Sequence, residues 1–411
     1  MLRSFAKPGV DPAEAARGGA GLAGVDHRDL CALFGQVPGD GRAEDAGAGH
    51  NDVFGGGCHL YMMPVPVHQR ADMSEFVNRK WVVASRPEVE VELSNFELQE
   101  EPVADLEPGQ LLLKSRYVGV NPPMRMALVS GGIAGRPIPI GRTMYGGGLA
   151  EVAASEHPKF AVGDLVQGEL GWQEYAISDG ARRHAVNKVE APAGLSETTL
   201  MHVMGGSGAT AYFGMIEYCK PRPGDTLVVS TAAGTVGALV CQLGRLQGCR
   251  VVGIAGSEDK CNYVTSELGA EACINYKSED VAERLRETCP DGINIYFDNV
   301  GGETLDAVLG QIAFGARVVL CGGTSQYNND LDWYGPKNYF NLVYQQAEMY
   351  GYFIGNFSHR YHESRARIGA LLREGRMTYR EDVLEGIESL PTQLIRILRG
   401  ENFGIPMVRI S

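Results

Sequence analysis

The segment 226–243 constrains the fold more tightly than any other part of the chain. Thr226-Leu227-Val228-Val229-Ser230 is a short apolar run that suits a strand covered on both faces. A turn of small residues, Ala232-Ala233-Gly234-Thr235-Val236-Gly237, follows it. Val236, Leu239, Val240 and Leu243 then recur at i, i+3, i+4 and i+7, which places one apolar stripe on a helix. The alternation continues downstream, with strands expected at 250–254, 272–276, 293–298 and 316–321 and helices at 258–268 and 279–288. Parallel strands need long crossovers, and helices supply them. Repeated β-α units therefore close into a doubly wound, parallel α/β sheet.

The turn carries a ligand signature. It reads A-x-G-x-x-G between a strand and a helix, the context such a motif requires. Small side chains let the backbone approach a pyrophosphate, and the helix N-terminus offers free N–H groups and a partial positive charge. Gly234, Thr235, Val236 and Gly237 are thus assigned to dinucleotide binding, which makes this a Rossmann domain. NAD sites place a carboxylate about 20 residues past the glycines, on the ribose hydroxyls. Here the second strand ends Ile254-Ala255-Gly256-Ser257, which is small and neutral. Lys260 follows, and Tyr276 ends the third strand. A cation with hydroxyl donors suits a 2′-phosphate, so NADPH/NADP is the expected cofactor. Glu258 and Asp259 are assigned to the first turn of the next helix, where acidic residues favour the dipole.

The remainder is organised differently. Residues 1–72 hold 13 glycines without sustained periodicity and are expected to be disordered or irregular. Residues 81–177 show short alternating strands and turns, the pattern of a mostly β domain. A last helix and a final strand at 406–410 return to that domain. The expected division is an extension (1–75), a mostly β catalytic domain (76–205), the Rossmann domain (206–372) and a returning C-terminal segment (373–411). A net charge of −13 argues against a nucleic-acid partner. No segment reads as a membrane span or as a secretory leader, so a cytoplasmic location is expected. The nine cysteines are scattered singly and are read as unpaired small hydrophobes.

Several segments now align with one known family. They include Asn78-Arg79-Lys80-Trp81-Val82, Asn121-Pro122-Pro123-Met124-Arg125 and Thr210-Ala211-Tyr212-Phe213-Gly214. Gly256-Ser257 with Lys260, Asn275-Tyr276-Lys277, and Tyr296-Phe297-Asp298-Asn299-Val300-Gly301-Gly302 continue the series. Cys321-Gly322 with Ser325-Gln326-Tyr327-Asn328 completes it. In this order the chain resembles, over 76–411, the prostaglandin and alkenal double-bond reductases, also called leukotriene dehydrogenase-like enzymes. These are zinc-independent members of the medium-chain dehydrogenase/reductase superfamily. The resemblance implies a GroES-like β domain, a homodimer, and NADPH-dependent reduction of the C=C bond of α,β-unsaturated ketones or aldehydes. It also implies cofactor contacts at Lys260 and Tyr276, and at Asn299, Cys321, Gly322, Ser325, Tyr327, Tyr352, Phe353, Ile354 and Asn402.

No metal is expected. A catalytic zinc needs Cys, His and often a carboxylate around one open position. Residues 76–205 contain no cysteine, and His157, His184 and His202 lack a Gly-His-Glu context. Without a metal, hydride must reach a carbon that is already electrophilic, such as the β-carbon of an enone or enal. Catalysis then requires orientation of the alkene and polarisation of the carbonyl. Tyr327 is the candidate donor to the developing enolate, or a wall of the pocket; ordinary loop packing is the competing reading.

Two departures from the family pattern bear on the substrate pocket. Pro123 stands where the family commonly has Tyr, and Gly206-Ser207 where it has Met-Pro. Both changes predict a roomier pocket, with Tyr145 as a replacement aromatic wall. The loop 328–339, with Trp333 and Tyr334, reads as a lid or as a subunit interface. The alternatives are a quinone oxidoreductase and a non-catalytic NADPH-binding protein.

Overall fold

A computed structural model of the protein describes residues 73–129, 137–180, 186–328 and 332–411. The expectation for residues 1–72, His184 and the middle of the 328–339 loop lie outside these.

The first half is antiparallel. Strands β1 (Val77–Val83) and β2 (Phe96–Pro102) form a hairpin-like pair. Then come β3 (Leu111–Gly119), a 3-10 helix (Pro122–Leu128), β4 (Gly147–Ser155), β5 (Leu165–Glu169), β6 (Tyr175–Ser178) and β7 (Val186–Lys188). Alternation explains β3 and β4: each turns one row of side chains into the sealed interior, as with Leu111, Leu113, Ala150 and Val152. Helix α1 (Gly206–Phe213), prolonged by a π-helical turn (Gly214–Cys219), leads into the second half.

There the β-α alternation is regular. Strand β8 (Thr226–Ser230) is followed by α2 (Thr235–Leu246), β9 (Arg250–Ala255), α3 (Glu258–Ser266), β10 (Ala272–Asn275), α4 (Val281–Thr288) and β11 (Ile293–Asp298). Next are α5 (Gly302–Leu309), β12 (Ile312–Leu320), α6 (Asn341–Tyr344), β13 (Glu348–Gly351) and α7 (Tyr361–Arg373). The chain ends with β14 (Glu381–Glu385), α8 (Leu390–Leu398) and β15 (Ile405–Arg409).

Six strands make one parallel sheet in the order β10-β9-β8-β11-β12-β13. The order reverses between β8 and β11, and a crevice opens outside the strand ends there. Val228, Ile254 and Tyr296 fill the core on one face; Leu227, Val229 and Phe297 fill the other. The tail does return to the β half: β15 pairs antiparallel with β3 and carries β14 as the edge.

Two expectations needed correction. Strand β12 starts at Ile312 rather than 316, because Gly315, at φ +70°, lets the chain bulge between two registers against β11. The cysteines are not all unpaired: Cys261 and Cys273 form a disulfide. They stand 12 residues apart in sequence, but the first turn of α3 packs over the neighbouring strand β10 and brings their Cα atoms to 5.2 Å. Among the described residues, no helix is long and apolar enough to cross a membrane.

Candidate functional site

The crevice is built from the turn after β8. Thr231 adopts φ +51°, unusual for a β-branched residue, and reverses the chain at the strand end. Its carbonyl accepts from Gly234 N at 2.9 Å, and Ala232 N donates to Ile254 O at 3.0 Å, so the turn is tied to the sheet. Gly234 is the N-cap of α2. A Cβ on Gly237 would run into the carbonyl of Thr231, so only glycine lets α2 begin this close to the sheet. The result is a helix N-terminus presented over the strand ends. Ala233, Gly234 and Thr235 line a cleft there together with Tyr263, Tyr379 and Arg380.

At the end of β9 four predicted residues converge. A Cβ on Gly256 would lie 2.9 Å from Tyr276 Cε1, so the absence of a side chain admits the tyrosine ring. Ser257 caps α3, its Oγ accepting from Lys260 N at 3.3 Å. Lys260 Nζ donates to the carbonyl of Gly400 at 2.7 Å. Gly400 in turn lies beside Tyr276, whose hydroxyl is 3.6 Å from the position of a Gly400 Cβ. Burial, with the nearby Lys277 ammonium, pushes the Lys260 pKa below its usual range. Glu258 and Asp259 occupy the first turn of α3 and are exposed, as the dipole argument requires.

On the opposite side of the crevice, Asn299 N and Nδ2 donate to the hydroxyl and carbonyl of Ser230, both at 2.8 Å, joining β11 to β8 at the switch point. Asp298 is buried. Its Oδ1 accepts from Tyr296 Oη, Val300 N and Gly301 N at 2.8–3.0 Å. Burial raises its pKa, and those donors oppose the rise. The loop after β12 rests on this turn: Cys321 N and Gly322 N donate to Asp298 O, Thr324 N to Asn299 O and Ser325 N to Val300 O. Tyr327 folds back so that its hydroxyl accepts from Gly323 N at 3.4 Å, and burial pushes its pKa above the usual range.

Arg125 joins the two halves. Fully buried in the 3-10 helix that carries Pro123, it donates through Nε to Asn328 Oδ1 at 3.2 Å. Pro123 and Tyr327 are thereby held on adjoining elements. Gly206 and Ser207 form the first turn of α1, and a Cβ on Gly206 would meet no atom within 4 Å. Tyr145 is half buried; it packs against the cluster that holds Met124, and burial beside Glu169 raises its pKa. Tyr352 is the exception among the predicted residues. Its ring lies 5.2 Å from Tyr218 and 5.9 Å from Phe357, and its hydroxyl donates to Ala209 O at 3.4 Å, so only its backbone is left to face the crevice. Phe353 beside it is exposed. Asn402 Nδ2 donates to Gly404 O at 3.1 Å, within the loop that also brings in Gly400.

Sequence reasoning missed Tyr379, Arg380 and Gly400. All three come from the C-terminal return, and no local pattern marks them.

The chain is similar to known proteins along most of the described residues. Residues 79–186 match the N-terminal domain of oxidoreductase family, and 235–369 match the family described as zinc-binding dehydrogenase. The NADPH-dependent curcumin reductase of Escherichia coli is 38% identical over 339 residues, 81% of this chain and 97% of its own length. The chain belongs to the medium-chain dehydrogenase/reductase superfamily.

Other members of the superfamily match almost as well. Prostaglandin reductase 1 of Oryctolagus cuniculus is 36% identical, over 76% of this chain and 87% of its own. The NADP(+)-dependent 2-alkenal reductase of Nicotiana tabacum is 38% identical, over 74% and 88%. CurA of Vibrio vulnificus, solved in complex with NADPH, superimposes with a TM-score of 0.76 at 39% identity, covering 81% of this chain and 99% of that one. These relatives place the chain in the prostaglandin and alkenal reductase branch of the medium-chain dehydrogenases/reductases. Although the second family is described as zinc-binding, no group of three or more His, Cys, Asp and Glu is placed to hold a metal among the described residues.

Proposed function

We propose that this protein uses NADPH to reduce the C=C bond of α,β-unsaturated ketones or aldehydes. The observation that carries the reading is the convergence of Gly256, Ser257, Lys260 and Tyr276 at the end of β9. These residues fit a 2′-phosphorylated ribose. They supply a cation, two hydroxyls and the N-terminus of α3, while the nearby Asp382 carboxylate is taken up by Arg396 and Phe403 N. The cradle at Gly237 and the N-terminus of α2 fit the pyrophosphate, and the guanidinium of Arg380, 4.0 Å over the Phe403 ring, lies beside it. The activities of these relatives support the same reading.

When bound, the reduced nicotinamide supplies the hydride. The chain's own residues orient the alkene and stabilise charge. Asn299 spends its amide N–H on Ser230, which leaves Oδ1 as an acceptor at the switch point. Tyr327 accepts from Gly323 N, which leaves its own O–H to donate to a substrate carbonyl oxygen. Burial keeps that phenol protonated at neutral pH, and the donor strengthens as negative charge develops on the oxygen. Open space at Gly206 and a proline at 123 suit a substrate broader than a slender alkenal.

The four-part division at residues 75, 205 and 372 belongs to this reading, as does a homodimer. The dimer is supported by the exposed edge strand β13 and its apolar neighbours Phe314, Phe340, Val343, Tyr344 and Met349. A cytoplasmic location belongs to this reading as well; four buried thiols, Cys219, Cys241, Cys249 and Cys289, stay unpaired, while Cys261 and Cys273 pair.

The test is to titrate the protein with NADPH and NADH, then follow NADPH oxidation across enones, enals and quinones. Selective NADPH binding with enone or enal turnover is expected. Preference for NADH, or turnover of quinones alone, overturns the proposal.

A further inference from the structure

We infer that Cys261 and Cys273 are a reversible redox-modification site that tunes the NADPH pocket, an inference that rests on the proposed function. Among the described cysteines these two alone pair; Cys321 is also partly buried, but it sits unpaired in the loop after β12. Cys219, Cys241, Cys249 and Cys289 are sealed in the core, where burial pushes the thiol pKa up. Cys261 and Cys273 are only half buried and face each other across α3 and β10, with Cα atoms 5.2 Å apart. That separation lets a disulfide form without moving either element.

Their place in the fold gives the pair its consequence. Cys261 follows Lys260 directly, in the turn capped by Ser257. Cys273 lies three residues before Tyr276, in the strand that delivers the tyrosine. The cross-link thus ties together the two elements whose side chains close on the 2′-phosphate. Apart from the cross-link and the Cys261 N–Ser257 O helix bond, the polar ties of the first turn of α3 at this end are the Ser257 cap and the Lys260–Gly400 bond, each a single hydrogen bond.

The chemistry balances with a low-molecular-weight disulfide such as oxidised glutathione. One cysteine thiolate attacks the S–S bond, forming a mixed disulfide and releasing one small thiol. The second cysteine displaces the other small thiol. The cysteine pair loses two electrons and two protons, and the small disulfide becomes two thiols. Dithiols reverse the exchange.

The oxidised form holds Lys260 and Tyr276 preorganised, so it binds NADPH more tightly. NADH, which lacks the 2′-phosphate, is indifferent to the change. The experiment compares the full chain equilibrated with oxidised glutathione and with a phosphine reductant. Differential alkylation and mass spectrometry identify which cysteines change state, and fluorescence titration gives both affinities. Oxidation is expected to protect Cys261 and Cys273 from alkylation, and reduction to weaken NADPH binding by about three- to tenfold at constant NADH affinity. Cys273→Ser should hold the weaker affinity under both conditions, and Cys261→Ser should match it. Failure of the pair to couple, or NADPH and NADH affinities that shift in parallel, overturns the inference. Coupling of the pair in a protein that binds no NADPH would refute the nucleotide reading and the tuning, while leaving the redox site intact.

Discussion

Acidification should destabilise this protein through His202. The imidazole is partly buried, its ring against Gly119 and its Nε2 sealed from solvent with no hydrogen-bond partner among the described residues, and burial lowers its pKa from 6.5 to about 4. The unfolded chain therefore binds a proton below pH 6.5 that the folded chain refuses until about pH 4. The stability is fully present above the unfolded value and is lost as pH falls through this window. The loss is about 1 kcal/mol at pH 5.5 and levels off at roughly 3 kcal/mol below pH 4. Other groups titrate over the same range, so the measurement is a difference. Urea unfolding of wild type and His202→Leu would be run at constant ionic strength from pH 7.5 to 4.5. The variant loses some packing at every pH, but its deficit should shrink, and can reverse, as the pH falls. A wild-type minus variant stability that stays flat across this range would refute the reasoning.

Three further predictions concern the crevice. Lys260→Met keeps the aliphatic stem and removes the charge; NADPH affinity should fall about 10- to 100-fold while NADH affinity holds, and a parallel fall in both would place the 2′-phosphate elsewhere. Tyr327→Phe should lower kcat with enones by about 100-fold without changing the Kd for NADPH, and unchanged turnover would remove the hydroxyl from the mechanism. Gly237→Ala forces α2 away from the Thr231 carbonyl, so it should cost about 1–3 kcal/mol in unfolding free energy and weaken both nucleotides, readable by thermal shift with and without NADPH.

Much of the Rossmann half was legible because its signals are local. Strand β8 and the start of α2 follow from consecutive residues whose periodicity switches from a buried run to a 3.6-residue stripe. Lys260 and Tyr276 could be nominated together because each ends or follows a strand of the same sheet, and parallel register brings such ends to one edge. The bulged β12 shows where local reading weakens: exposed Phe314 and Gly315 interrupt the pattern before the strand resumes. Tyr352 shows a different limit. Its ring turns into the core beneath α1, where the pattern of neighbouring residues gave no sign of it.

The order of apolar and small residues along the chain was enough to settle the parallel sheet, its glycine turn and the kind of nucleotide it suits, because hydrogen bonding and burial over a few residues decide those features. It was silent on Gly400 closing over Lys260, on Arg125 reaching Asn328, and on Cys261 meeting Cys273. The first two contacts join residues 140 and 203 positions apart, and the third joins a helix to the next strand. Such pairs have no periodic trace. The Gly400 contact exists only once the C-terminal segment has added β15 to β3, and the other two depend on the depth at which each helix and loop comes to rest against its core.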